Sequence, residues 1–141
     1  MGNVEVSVEF APQKLRAFSR NEAKLNITLK NASPIDMYWC ECEVSLNPPL
    51  SLARDAELNL GRTRAGILKP NSSITKVVNI FTRPNNYPDD YMVSLTVYVY
   101  DQDAAIFERV EKKVAIQCVV GEEERPIQER KDLRKPPEPM Q

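Results

Sequence analysis

Residues Ala23-Lys24-Leu25-Asn26-Ile27-Thr28-Leu29-Lys30 decide the fold class of this chain. Apolar side chains occupy every odd position of the stretch, and polar side chains occupy every even position. A period of two places alternate side chains on opposite faces of an extended strand, whereas a helix repeats about every 3.6 residues. The stretch therefore predicts a β-strand with one face in a hydrophobic core and the other face in water.

The same alternation recurs on both sides of this strand. Turn-forming residues separate the alternating stretches, as at Asn31-Ala32-Ser33-Pro34 and Asn47-Pro48-Pro49. The predicted strands cover residues 4–10, 23–30, 37–46, 56–60, 74–81, 91–100 and 110–120. Seven short strands without a helical period predict an all-β fold, a seven-stranded antiparallel sandwich.

Two glutamates determine which face of the strand over residues 37–46 is buried. Glu41 and Glu43 share one face with Trp39, and burying two carboxylates without partners would be costly. We therefore expect Trp39 to point outward with the glutamates. The opposite face is expected to point into the core: Tyr38, Cys40, Cys42, Val44 and Leu46.

An exposed aromatic group follows from this orientation. Antiparallel pairing of the strand over residues 91–100 with the strand over residues 37–46 is expected to bring Tyr98 and Tyr100 close to Trp39, with Met37 beside them. Trp, Tyr and Met are enriched in interface cores, so these four residues are the predicted partner-binding site. Alternatively, the rings only shield the sheet as cross-strand pairs, or the tail or the loop that contains Asp36 covers them.

The composition divides the chain into two parts. Residues 1–120 contain the predicted strands, whereas residues 121–141 contain four prolines and eleven charged residues. The only sizeable apolar residues of that second part are Ile127, Leu133 and Met140, too few to offset the entropy cost of ordering it. The predicted organisation is a sandwich over residues 1–120 and a charged, proline-rich, disordered tail over residues 121–141.

Composition also excludes several classes of function. The chain has 141 residues with a formal net charge of −1, so it lacks the basic footprint expected of a protein that binds nucleic acid or an anionic membrane. It contains no histidine, the commonest general base and metal ligand, and no paired base and nucleophile at a recognisable spacing. We expect no enzymatic activity and no cofactor. Without a signal peptide or a membrane-spanning segment, a cytoplasmic location is predicted.

The three cysteines are interpreted as small buried hydrophobes. Cys40, Cys42 and Cys118 are an odd number in a chain without an export signal, which favours reduced thiols. A thiolate metal site is the alternative, but the predicted topology places Cys40 and Cys118 near opposite ends of the sandwich. No metal site is predicted.

Charged residues suggest a second candidate site. Arginine side chains make forked contacts with anions, and a predicted loop rich in cations could bind a phosphate or another small anion. The candidate anion-binding residues are Arg54, Arg62, Arg64 and Lys69. The acidic pairs Asp89-Asp90 and Asp101-Gln102-Asp103 are interpreted as turns, because the second pair lacks the Gly and distal Glu of a calcium loop.

Three segments together resemble a known family. They are Leu25-Asn-Ile-Thr-Leu-Lys-Asn31, Gly66-Ile-Leu-Lys-Pro-Asn-Ser-Ser73 and Asp90-Tyr-Met-Val-Ser-Leu-Thr-Val97. Their order resembles the immunoglobulin-like, adhesion-related modules called CARDB, which share their layout with fibronectin type III domains. The resemblance implies a seven-stranded antiparallel immunoglobulin-like sandwich with Greek-key connections, used as a binding or spacer unit without catalysis. Tyr91, at the entry of its strand, is placed like the tyrosine of a tyrosine corner.

The predicted function is therefore a non-enzymatic protein–protein interaction module. Its partner is another protein or a second copy of the chain in a homodimer, bound through the exposed aromatic sheet face. Two alternatives remain at this stage. One is a binder of small anionic ligands that uses the loop arginines, and the other is a structural spacer domain of a larger surface protein.

Overall fold

Eight β-strands form the part of the chain that the computed structural model describes, residues 3–120. In chain order they are β1 (Val4–Ala11), β2 (Lys14–Arg16), β3 (Asn21–Asn31), β4 (Tyr38–Leu46), β5 (Leu60–Leu68), β6 (Ser73–Thr82), β7 (Asp89–Tyr100) and β8 (Ile106–Val119). The all-β fold class is confirmed. No helix within residues 3–120 is long and apolar enough to cross a membrane. The predicted tail over residues 121–141 lies outside the described residues.

The strands form two sheets that pack face to face. One sheet has the order β1-β3-β6, and the other has the order β2-β8-β7-β4-β5. The alternation along β3 determines its packing, because Leu25, Ile27 and Leu29 are completely buried between the sheets while the residues between them face outward. On the other side of the core, β7 contributes Val93, Leu95 and further apolar residues in the same way. The core therefore lies between the two sheets, as the alternation predicts.

Two details of the predicted seven-stranded sandwich are wrong. An eighth strand, β2, pairs parallel with residues Gln117 to Val119 of β8, so the larger sheet is not wholly antiparallel. Three residues are too few to produce a recognisable alternation, which is why the sequence did not indicate this strand. The strand expected over residues 56–60 is also absent from the described structure, where β5 begins at Leu60 and continues to Leu68. Gly61, Gly66 and an irregularity in the register opposite Cys40 and Glu41 obscure the alternation of β5.

The predicted antiparallel pairing of β7 with β4 is confirmed. Strand β7 pairs antiparallel with β4 on one side and with β8 on the other. The side chain of Tyr91, at the start of β7, donates a hydrogen bond from its hydroxyl to the backbone carbonyl of Tyr87. This contact has the form of the expected tyrosine corner and has a structural role.

Asn31 ties three segments together at one end of the sandwich. Its side chain is fully buried, and its Nδ2 donates to the backbone carbonyls of Asp36 at 2.7 Å, Lys69 at 3.1 Å and Leu68 at 3.3 Å. Its Oδ1 accepts a hydrogen bond from the backbone N–H of Ser33 at 2.9 Å. The amide therefore holds the β3–β4 connection against the end of β5.

Strand β8 presents an open edge. Within residues 3–120, β2 covers it only from Gln117 to Val119, so the stretch from Ile106 to Ile116 has a neighbouring strand on the β7 side alone. The register places Glu108 and Lys112 on the core-facing side of this edge, opposite Val99 and Leu95. One carboxylate oxygen of Glu108 is buried and has no hydrogen-bond partner. Inward-pointing charges on an exposed edge prevent another strand from adding to it.

Replacing Lys112 by valine is expected to make the protein aggregate through this edge. In the wild-type protein, the charge of Lys112 opposes the pairing of another strand with this edge. The variant replaces that charge with a β-branched apolar side chain, which can be buried when a strand is added. We expect light scattering from a concentrated sample to rise within hours at 37 °C by about tenfold or more over wild type. The matched control is Lys113→Val, which removes the same charge from the outer face of the strand, opposite Ser94. Equal solubility of the two variants would contradict the protective role of Lys112.

Candidate interaction surface

The register of β4 and β7 brings the predicted aromatic residues together. Trp39 and Tyr100 lie directly opposite each other on the two strands, and their rings stack with centroids 4.1 Å apart and planes 15° apart. Both side chains are half-buried and lie on the outer face of the five-stranded sheet. The structure therefore confirms the predicted outward direction of Trp39 and its proximity to Tyr100.

A polar network holds these rings in place. The guanidinium of Arg62 donates to a carboxylate oxygen of Glu41 at 2.9 Å and to the hydroxyl of Tyr100 at 2.8 Å. It also lies 4.2 Å from the centroid of the Tyr98 ring, a cation–π contact. The hydroxyl of Tyr98 donates to Glu43 at 2.9 Å, and this hydrogen bond raises the pKa of Tyr98. Because Arg62 covers the ring of Tyr98, this ring supports the neighbouring side chains and adds little surface that a partner could contact.

Ile67 completes an apolar group that we call the aromatic patch. The patch consists of Met37, Trp39, Ile67 and Tyr100. Ile67 lies opposite Trp39 on β5, so the side chains of three neighbouring strands form a row across the end of the sheet. Met37 is 39% exposed and Ile67 is 59% exposed, which makes the patch accessible to a partner. The sequence did not indicate Ile67, because none of the predicted strands covers residues 61–73, whereas β5 continues to Leu68.

A groove with a volume of about 510 Å³ lies along the aromatic patch. Met37, Trp39 and Ile67 provide its apolar surface, while Gly66 exposes backbone along one wall. Arg64 lies on the β5 side of the groove, and Asp101 and Gln102, in the turn between β7 and β8, lie on the opposite side. The groove is therefore apolar in its middle and carries one charge of each sign at its borders.

The four predicted anion-binding residues do not lie on one loop. Arg62 and Arg64 are on strand β5, and Lys69 is in the turn that follows it. Arg54 lies against the other sheet, where it is 3.3 Å from a carboxylate oxygen of Glu22 and 5.2 Å from the ring centroid of Phe81. Two of the three guanidinium groups, those of Arg54 and Arg62, are thus already paired with carboxylates. Anion binding by this set remains a prediction without a common site.

The cysteines lie in the core. Cys40, Cys42 and Cys118 are buried, and no disulfide joins them. Burial raises the pKa of Cys40 to about 12 and that of Cys42 to about 11, so both thiols stay protonated at neutral pH. No group of three potential metal ligands occurs among residues 3–120. The predicted role as small hydrophobes agrees with this burial.

The turn interpretation holds for only one of the two acidic pairs. Asp89 and Asp90 were predicted to lie in a turn, but they pair with Cys118 and Gln117 of β8 and belong to strand β7. One carboxylate oxygen of Asp101 accepts hydrogen bonds from the backbone N–H groups of Asp103 at 2.9 Å and Ala105 at 3.1 Å. Asp89 and Asp90 begin β7, at the opposite end of that strand. The two pairs therefore cannot combine into one cation site.

The comparisons with known proteins bear on the fold. No protein-family model and no curated protein sequence matches the chain. The structure is similar to a non-cellulosomal cohesin from the hyperthermophilic archaeon Archaeoglobus fulgidus, with a TM-score of 0.53 and 14% identity over 86% of this chain and 95% of that chain. It also matches Spo0M, a sporulation control protein from Bacillus subtilis, with a TM-score of 0.46 and 14% identity over 85% of this chain and 51% of that chain.

The cohesin match identifies an architecture and no closer relationship. At 14% identity, the cohesin structure supports a β-sandwich, in agreement with the strand topology. It does not single out the CARDB or fibronectin type III families that the sequence resembles. The described chain is a β-sandwich domain with an exposed aromatic patch at one end of its larger sheet.

Proposed function

We propose that this protein is a non-enzymatic protein–protein interaction module that binds its partner at the aromatic patch. One observation carries the proposal: the stacked Trp39 and Tyr100 rings continue on the same outer face into exposed Ile67. Scattered single apolar residues are normal on protein surfaces, but a contiguous group of large apolar side chains beside a groove is typical of an interaction site.

The rigidity of the patch supports the same role. Binding costs entropy for each side chain that must be immobilised, about 0.5–1.5 kcal/mol for a flexible one. Arg62 already holds the Tyr100 hydroxyl, and stacking on Tyr100 restrains Trp39. A partner therefore meets rings that are largely ordered before it arrives. The resemblance to CARDB modules agrees with a binding role.

Photo-cross-linking at the patch tests the proposal. A photoreactive phenylalanine analogue replaces Ile67 in the full chain, and the cells that naturally produce the protein are irradiated. We expect a covalent adduct with a protein, and we expect Trp39→Ala to reduce its yield by about tenfold or more, since central aromatic anchors dominate binding energy. The adduct is identified by mass spectrometry.

Val77 provides the matched control position. It is 46% exposed and lies on the outer face of β6, in the opposite sheet, so the same analogue there samples a surface without the patch. An adduct from position 67 that is absent from position 77 supports the proposal. The proposal would be overturned if position 67 gave no adduct, or if both positions gave the same adducts.

A further inference from the structure

The two charges that border the groove lie at diagonal corners of the aromatic patch. Strands β5 and β7 both run antiparallel to β4, so they run in the same direction and end at the same level, with Ile67 and Tyr100 on either side of Trp39. Arg64 precedes Ile67 along β5, whereas Asp101 follows Tyr100 at the end of β7. A line from Arg64 to Asp101 therefore crosses the patch near Trp39.

The cation at one corner is available to a partner. Glu41 is the cross-strand partner of Arg64 in the register, but its carboxylate is bound by Arg62 at 2.9 Å. Arg64 is exposed, and within residues 3–120 it has neither an ion pair nor a side-chain hydrogen bond. The Arg64 guanidinium therefore borders the groove, while the carboxylate of its cross-strand partner, Glu41, binds Arg62.

The anion at the other corner is fixed in position. Backbone N–H groups of the turn bind only one oxygen of Asp101, and among the described residues no cation pairs with its carboxylate. The turn that Asp101 closes keeps this group at the border of the groove. Arg64 and Asp101 thus form a pair of opposite charges held apart by an apolar surface.

We infer that the partner at this patch is a second copy of the chain, bound face to face in a symmetric dimer. The inference rests on the proposed function and names its partner. A two-fold axis in the plane of the interface, perpendicular to the line from Arg64 to Asp101, places each arginine opposite the aspartate of the other protomer. The same operation brings the two aromatic patches together.

Charge complementarity favours a second copy over an unrelated protein. A different partner would need an anion and a cation at matched positions around an apolar anchor, whereas symmetry supplies both automatically. The apolar residues occupy the centre and the charges occupy the border, which is the usual arrangement of a specific interface. Both ion pairs would also oppose a rotated packing of the two patches, since rotation would place like charges together.

Two substitutions test the proposed pairing of Arg64 with Asp101 of the other protomer. The effect of Asp101→Asn on the dimer dissociation constant is expected to change sign when Arg64→Glu is also present. In full-length protein, Arg64→Glu places a carboxylate opposite Asp101 of the other protomer, so we expect the dimer dissociation constant to rise by at least about tenfold. Asp101→Asn retains the oxygen that accepts the turn hydrogen bonds and removes only the charge. In the wild-type background it is expected to weaken the dimer about threefold, but in the Arg64→Glu background it is expected to strengthen it, because a repulsion is then removed.

Sedimentation and light scattering over a dilution series measure these constants, as the mass falls from twice 16.1 kDa to 16.1 kDa. Lys24→Glu makes the same charge change as Arg64→Glu on the outer face of the three-stranded sheet and is expected to leave the dimer unchanged. The inference would be overturned if the wild-type protein were monomeric at all concentrations. It would also be overturned if Asp101→Asn changed the dimer dissociation constant in the same direction in the wild-type and Arg64→Glu backgrounds.

The two proposals fail in different ways. If position 67 cross-links to a protein other than this chain and the purified chain is monomeric, the interaction module stands and the symmetric dimer is wrong. If position 67 gives no adduct, the aromatic patch is not an interaction site and both proposals fail. An adduct that contains two copies of this chain, together with the reversal of sign, supports both.

Discussion

Replacing Asn31 by aspartate is expected to lower the free energy of unfolding by about 3 kcal/mol. The substitution keeps the shape of the side chain but exchanges a donor for a charged acceptor. In the native protein, Nδ2 of Asn31 donates to the carbonyls of Asp36, Leu68 and Lys69. A buried carboxylate would face three carbonyl oxygens, lose these hydrogen bonds and have no cation nearby to offset its desolvation.

Urea unfolding measures this change, with a matched control on the exposed surface. Asn79→Asp makes the same chemical change on the outer face of β6, opposite Lys24, where the new carboxylate stays hydrated. We expect Asn79→Asp to alter stability by no more than about 0.5 kcal/mol. Equal effects at the two positions would show that the hydrogen bonds of Asn31 contribute little.

The role of Asn31 connects stability with the proposed binding site. Asp36 directly precedes Met37, and Leu68 directly follows Ile67, so the amide of Asn31 fixes the backbone next to two members of the aromatic patch. A variant that still folds is therefore expected to hold the patch less rigidly. The residue acts on the surface through the backbone and not through contact with a partner.

The main features of the fold could be predicted from the sequence because they depend on a strong local signal. Alternation predicted the central residues of five strands, β1, β3, β4, β6 and β7. The two glutamates of β4 correctly indicated which face of that strand points outward. Such a pattern is reliable where one face of a strand is buried along its full length. The all-β sandwich follows from these strands alone.

The missed elements depend on contacts between distant parts of the chain. Strand β2 exists because Lys14 to Arg16 meet the end of β8, about a hundred residues later in the chain. Strand β5 lies at the edge of its sheet, where half-buried residues and two glycines weaken the alternation. Exposed edge strands need little apolar character, so composition does not reveal them.

The difference between local alternation and contacts between distant residues also limits how much of the candidate site could be predicted from the sequence. Trp39, Tyr98 and Tyr100 could be brought together from strand pairing, since alternation gives the face and antiparallel order gives the register. Ile67 could not, because its position opposite Trp39 depends on β5 continuing to Leu68 and on the register irregularity opposite Cys40 and Glu41. An apolar pair such as Ile67-Leu68 before a proline-led turn is the local signal that could have extended the strand.

Raising the pH from 9 to 10 is expected to lower the stability of the protein by about 2 kcal/mol through the two thiols of β4. In the unfolded chain, Cys40 and Cys42 ionise near pH 9, whereas burial in the core raises their pKa values to about 12 and 11. The unfolded state therefore loses thiol protons that the folded state retains. The stabilisation is complete below pH 9 and is lost as the pH rises towards 11 and 12.

The double substitution Cys40→Ala and Cys42→Ala isolates this contribution. Urea unfolding under reducing conditions at pH 8, 9 and 10 gives the slope of stability against pH for wild type and for the double variant. Other groups perturb these thiols in opposite directions, since Glu108 raises the pKa of Cys40 and Lys76 lowers that of Cys42, but burial is the largest cause for both. We expect the double variant to be less stable at pH 8 because it loses apolar contacts, and to lose less stability than wild type between pH 9 and 10. Identical slopes of stability against pH for the two proteins would mean that the thiols ionise equally easily in the folded and unfolded states. Water would then have to reach the core-facing side of β4.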